Sequence, residues 1–102
     1  MKPLHLTKEN FDREARGASL PILIDFYADW CGPCRLLAPL IEELAEEADG
    51  YLVGKVNVDE VPSLAEEFSV MSIPTVIVLE GGKVKARAVG ARPKEALLAL
   101  LR

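Results

Sequence analysis

A chain of 102 residues suits one compact domain built on a single core. Half of the residues are apolar and 27% are charged, a soluble globular balance, and the net charge of −4 removes any general case for nucleic-acid binding. No apolar run approaches the roughly 18 residues that a membrane span needs. The opening "MKPLHLTKENFDREARG" has no apolar signal region, so the expected setting is the cytoplasm, with no membrane partner.

In chain order, a short strand is expected at Leu4–Leu6 and a helix over residues 8–16. "LPILIDFYA" (20–28) is rich in Ile and aromatics and is bounded by turn residues, the pattern of a buried central strand. From Cys34 to Ala48, the apolar Leu37, Leu40, Ile41, Leu44, Ala45 and Ala48 recur at i, i+3, i+4 spacing. Glu42, Glu43, Glu46 and Glu47 fall on the other side, which predicts an amphipathic helix. Pro39 lies inside it, where a kink is expected. "YLVGKVNVDE" (51–60) supplies a third strand, with Val53, Val56 and Val58 as β-branched bulk. A helix over 62–68 follows, with Pro62 at its first turn.

"PTVIVLE" (74–80) and "GGKVKARAVG" (81–90) read as a hairpin turning at Gly81-Gly82. Lys83, Lys85 and Arg87 alternate with Val84, Ala86 and Ala88, as suits an edge strand whose charges deter further pairing. A last helix over 94–101 begins near Pro93 and buries Leu97, Leu100 and Leu101. The order predicts an α/β fold: a mixed sheet with helices against its faces. Charge is uneven, since residues 83–102 carry six Lys or Arg against one Glu, while "EELAEEAD" is acidic. Solvated outer faces account for this, with a docking role as the alternative.

The chemistry concentrates in "DFYADWCGPCRLLAP" (25–39), which holds the only cysteines, Cys31 and Cys34. A structural zinc needs about four ligands, and the sequence offers one pair plus a distant His5, so no metal is expected. A disulfide closing so small a loop restrains the unfolded chain little, which makes a staple a weak use of the pair. A redox dithiol fits the local physics. Cys31 falls where a strand ends and a helix begins, and the N–H groups there favour a thiolate, the attacking species in disulfide exchange. Cys34 lies one turn on, placed to resolve a mixed disulfide. Pro33 fixes the helix start, Gly32 leaves room for a partner chain, and Trp30 offers an apolar flank.

"WCGPC" after "ILIDFYAD", then "APLIEELAEE", "KVNVDEVPSLAEEFSVMSIPT" and the closing Gly-Gly…Val-Gly hairpin, resembles the thioredoxin family from about Leu4 to Leu101. The resemblance implies a thioredoxin fold, a central mixed sheet flanked by helices on both faces. It implies reduction of disulfides in client proteins by a monomer that uses its own cysteine pair as redox centre, without a cofactor, and is recycled by a thioredoxin reductase. Cys31 takes the nucleophile's place and Cys34 the resolving one. Pro74 matches the family's cis-proline, Ile73 the residue whose backbone pairs with a client segment, and Gly90 a glycine bordering that docking surface. Asp25 matches a buried aspartate that shuttles the proton of Cys34; on the residues alone, the alternative is a strand-end residue reaching water. Lys55 matches a lysine near that acid, or is an ordinary surface lysine. Tyr27 departs from the pattern, standing where many bacterial members carry a second tryptophan.

Overall fold

The computed structural model describes residues 1–102. The predicted apolar runs form strands β1 (Leu4–His5), β2 (Ile22–Tyr27), β3 (Leu52–Asn57), β4 (Thr75–Glu80) and β5 (Lys83–Val89). Helices α1 (Gly32–Glu47), α2 (Pro62–Glu67) and α3 (Lys94–Ala99) join or follow them, and a short π-helical segment spans Asp12–Arg16. The strands make one sheet in the order β1-β3-β2-β4-β5. β3 runs parallel to β1 and β2, while β4 is antiparallel to both β2 and β5, so the sheet is mixed as expected.

β2 lies at the centre and is covered on both sides, which explains why its sequence is apolar without alternation. Side chains still alternate between faces. Ile22, Ile24 and Phe26 enter a core with Phe11, Leu64 and Phe68, on the side of the π-helical segment and α2. Leu23 enters a second core with Leu37, Ile41, Leu44 and Leu97, on the side of α1 and α3. Asp25 shares the parity of Leu23, so it is directed beneath α1. That single fact of register decides its environment.

Two elements differ from expectation. The helix expected over 8–16 is a turn followed by π-helical spacing, in which the Gly17 N–H reaches back five residues to the Asp12 carbonyl. Its start is set by Thr7 and Asn10, whose side chains each accept the other's backbone N–H (2.7 and 3.2 Å). Phe11 and Ala15 enter the core together. The second difference is that α1 begins at Gly32 rather than Cys34, because Cys31 is its N-cap and Pro33 lies in its first turn. The helix continues unbroken through Pro39.

The basic C-terminal stretch is spent largely inside the chain. Lys94 Nζ bonds Glu43 and Glu47 of α1 (2.8 and 2.7 Å), fastening α3 across the acidic helix. On edge strand β5, Lys85 donates to Glu80 and to the Leu101 carbonyl (3.2 and 2.9 Å), next to a register shift in the hairpin. Arg87 donates to the Phe68 and Ser69 carbonyls, closing the C-terminal end of α2. The hairpin turn is formed as predicted, with positive φ at Gly81 and Gly82.

Gly54 lies between β1 and β2 on β3, where a Cβ would come 2.7 Å from the Leu6 Cδ1 atom. Leu6 is fully buried, so its side chain yields only by disturbing its core neighbours. Gly54→Ala is therefore expected to cost about 1–3 kcal/mol in urea unfolding, the usual range for overpacking. Leu6→Val should recover part of that loss; strictly additive effects of the two substitutions would contradict the assigned clash.

Candidate active site

The turn from β2 into α1 builds the site. Cys31, in extended conformation, caps α1: its Sγ accepts the Cys34 backbone N–H at 3.2 Å. A sulfur thus occupies the position where Ser or Asp usually caps a helix, and the unpaired N–H groups of the first turn favour negative charge on it. Cys34 lies one turn on, and the two are joined as a disulfide with Cα atoms 5.2 Å apart. Both residues are almost wholly buried.

The two sulfurs belong to different openings. Cys31 lines a largely apolar groove of about 820 Å³, together with Trp30, Gly32, Pro33, Ile73 and the exposed face of α2. Cys34 lines a smaller pocket of about 160 Å³ on the other side, with Tyr27, Arg35, Ala38 and Lys55. Trp30 is 68% exposed and is held over the groove by its Nε1–H, which donates to Asp59 (2.9 Å). Asp59 is oriented in turn by Asn57, whose Oδ1 accepts the Asp59 N–H (2.9 Å). A Cβ on Gly32 would meet nothing within 4 Å, so the backbone beside Cys31 is open to an approaching chain.

On the opposite wall, the Ile73–Pro74 peptide bond is cis, as the resemblance implied. The Ile73 carbonyl oxygen lies 3.7 Å from the Cys31 Sγ, and the Ile73 N–H has no backbone partner. Gly90, with φ of 92°, donates its N–H to the Pro74 carbonyl (2.7 Å) and thereby ties β5 to this wall. Neither Pro74 nor Gly90 lines the groove; Pro74 adjoins Ile73 through the cis bond, and Gly90 is bonded to Pro74.

Asp25 is only 1% exposed, which rules out the reading of a strand-end residue reaching water. Neither carboxylate oxygen has a hydrogen-bond partner in the protein. Burial pushes its pKa up from 3.8 to about 7, against the opposing pull of Lys55. Lys55 is the register partner of Asp25 on β3, and its Nζ lies 4.4 Å from the centre of the Tyr27 ring. Tyr27 therefore keeps an aromatic face at this position and gives the lysine a cation–π partner.

The comparisons agree with this geometry. The family model described as Thioredoxin matches residues 2–102. The chain belongs to the thioredoxin family. It is 48% identical over 97 residues to a thioredoxin from Alicyclobacillus acidocaldarius subsp. acidocaldarius, covering 94% of this chain and 91% of that one. It is 45% identical over 96 residues to a "Bifunctional thioredoxin reductase/thioredoxin" of Mycobacterium leprae (strain TN), covering 93% of this chain and 21% of the larger protein. A variant thioredoxin from Halobacterium salinarum NRC-1 superposes with a TM-score of 0.89 at 36% identity, covering 98% of this chain and 88% of that one. The chain is accordingly a thiol–disulfide oxidoreductase that reduces protein disulfides by dithiol–disulfide exchange through its cysteine pair.

Sequence reasoning singled out Trp30, the cysteines, Ile73 and Asp25, but not the α2 face, Asn57 or Asp59. The spacing of Pro62, Ala65, Glu66 and Ser69 was the available signal for the helix face.

The raised pKa of Asp25 has a consequence for stability. The folded protein binds this proton more tightly than the unfolded chain does, so the contribution is most favourable at and below about pH 4. It declines as pH rises through the window from 3.8 to about 7, by roughly 4 kcal/mol in all, and is constant above that. Asp25→Asn is expected to abolish this component. Guanidinium unfolding of the oxidised protein should show the variant gaining on the wild type from pH 4 to pH 8, by about 2–4 kcal/mol. A difference that does not change with pH would contradict the buried, partnerless carboxylate.

Proposed function

We propose that Cys31 is the nucleophile, Cys34 the resolving thiol and Asp25 the acid–base group of a reductase that acts as a single-domain monomer in the cytoplasm. The observation that carries the assignment is the division of the two sulfurs between openings: Cys31 lines the groove a client can enter, while Cys34 lines a separate pocket with Lys55, the register partner of Asp25. In the reduced protein, the Cys31 thiolate attacks one sulfur of a client disulfide. The client S–S bond breaks, one client thiolate leaves, and a mixed disulfide forms. The N-cap position of Cys31 favours the thiolate required for that step.

Resolution needs a second thiolate. Cys34 gives its proton to Asp25, whose pKa of about 7 suits both accepting and returning a proton near neutrality. The small pocket beside Cys34 is large enough to hold a water that could carry the transfer. Cys34 then attacks the Cys31 sulfur, the Cys31–Cys34 disulfide closes, and the client leaves with its second thiolate. Two electrons have passed to the client, whose two thiolates then take up protons, one returned from Asp25 and the other from solvent. The cysteine pair itself is the redox centre, so the exchange calls on no added cofactor. Lys55 lies close enough to lower the pKa of Asp25. Gly32 and Pro33 keep the nucleophile accessible at a fixed helix start, and Trp30, Ile73, Pro74 and Gly90 form or brace the docking wall. The unpartnered Ile73 N–H supports docking of the client as an added extended strand. A thioredoxin reductase returns the electrons, a partnership supported by the reductase/thioredoxin naming of the Mycobacterium leprae relative.

Insulin reduction tests the activity, first with dithiothreitol and then with NADPH and a thioredoxin reductase; absence of turnover in both formats would overturn it. Cys34→Ser is expected to accumulate mixed disulfides through Cys31. Cys31→Ser, which leaves Cys34 as the only thiol, should trap few; stronger trapping by Cys31→Ser than by Cys34→Ser would reverse the assigned roles. Asp25→Asn should slow the Cys34-dependent step by about tenfold or more in single turnover, below the full range of general-base effects. Rates unchanged from about pH 6 to 9 would remove Asp25 from the mechanism.

A further inference from the structure

The groove beside Cys31 has one wall that the exchange chemistry does not explain. α2 is short, and Pro62, Ala65 and Glu66, with Ser69 just beyond its end, recur at i, i+3, i+4, i+7 and line the groove together. Beyond them the wall continues through Val70 and Met71, the latter 92% exposed. Glu66 is the only charged side chain among the lining residues, set in an otherwise apolar and small-residue surface. It has no internal cation. Its neighbour Glu67 is the one that pairs with Arg16, Lys85 pairs with Glu80, and Lys94 pairs with Glu43 and Glu47. Arg87, which reaches the same end of α2, donates to the Phe68 and Ser69 carbonyls.

A client segment spanning the groove would take water away from the Glu66 carboxylate. Removing solvent from an ionised group without supplying a partner is costly, and the cost is offset only if the client brings a cation. A client Glu or Asp at the same place adds like-charge repulsion. The carboxylate therefore acts twice, by pairing with one class of client and by excluding another. We propose that Glu66 is a specificity-determining residue: it selects extended disulfide-bearing segments that carry a Lys or Arg near the reacting cysteine and disfavours segments with an acidic residue there. The inference rests on the groove of Cys31 being the client site.

The test uses the full chain, pre-reduced, and short peptides each closed by one internal disulfide. The peptides are identical except for Arg, Gln or Glu scanned through the positions flanking the first cysteine. Second-order rate constants come from rapid quenching and thiol labelling, at low and high ionic strength. At its best position, the Arg peptide is expected to react about three- to tenfold faster than the Glu peptide at low salt, with the ratio shrinking at high salt. Glu66→Gln should bring the ratio close to one, and Glu66→Lys should invert it. Glu95→Gln, which makes the same change in net charge on α3, should leave the ratio as in the wild type.

Equal rates for the three peptides at every position would overturn the charge preference while leaving the client site intact. A ratio that falls equally in Glu66→Gln and Glu95→Gln would assign the preference to net charge and overturn the role of Glu66. Reaction of none of the peptides with the wild-type protein would overturn this inference together with the reading on which it rests.

Discussion

The bond from the Cys34 backbone N–H to the Cys31 sulfur fixes everything around it. An N-cap must leave the helical conformation while its side chain turns back to the first turn, so the reactive atom is tied to the helix end. For that geometry to arise at a useful place, β2 must end one short turn before α1, deep in the sheet. β2 has that depth because β3 and β4 flank it and helices cover both its faces. The apolar run, the helix start and the reactive sulfur are one constraint seen at three scales.

The same centrality creates the strain of burying Asp25. On an edge strand, its carboxylate would find solvent; on β2, with the parity of Leu23, it lies under α1 without a hydrogen-bond partner. A buried polar group without a partner is uncommon in folded proteins and calls for a chemical reason. Its neighbours fit one: Lys55 on the adjacent strand supplies a restrained positive field, and the Tyr27 ring takes part of that lysine's attention. The arrangement keeps the acid near neutrality instead of extinguishing its titration.

Much of this was legible in the sequence, and the reasons are particular. Long strands with uniform apolar content and an amphipathic helix with a sharp start announce themselves, because burial and periodicity leave few alternatives. Cys31 and Cys34 were legible since a close pair with no other ligands has few chemical uses. Asp25 was noticed as an interruption, but its depth depended on which neighbours β2 would acquire, a tertiary fact. The π-helical spacing at Asp12–Arg16 was invisible to a helical pattern, because Phe11 and Ala15 satisfy either period over so short a span. The groove wall was missed for a related reason. Its face belongs to a helix of only six residues, and which side of it meets the cysteines follows from the path of the β3–α2 connection. The basic C-terminal stretch read as a solvated face and is largely one; what the sequence did not show is that Lys94, Lys85 and Arg87 each find a partner within the chain.

The disulfide stands as a partition between its two openings, and this bears on how such a protein can change over time. No residue that lines the groove also lines the pocket formed by Tyr27, Ala38 and Lys55 behind Cys34. Energetic effects at sites without shared partners tend to add. Client choice and proton handling can therefore drift as separate traits: a lineage can recut the groove for new clients without retuning the acid, or retune the acid without losing its clients.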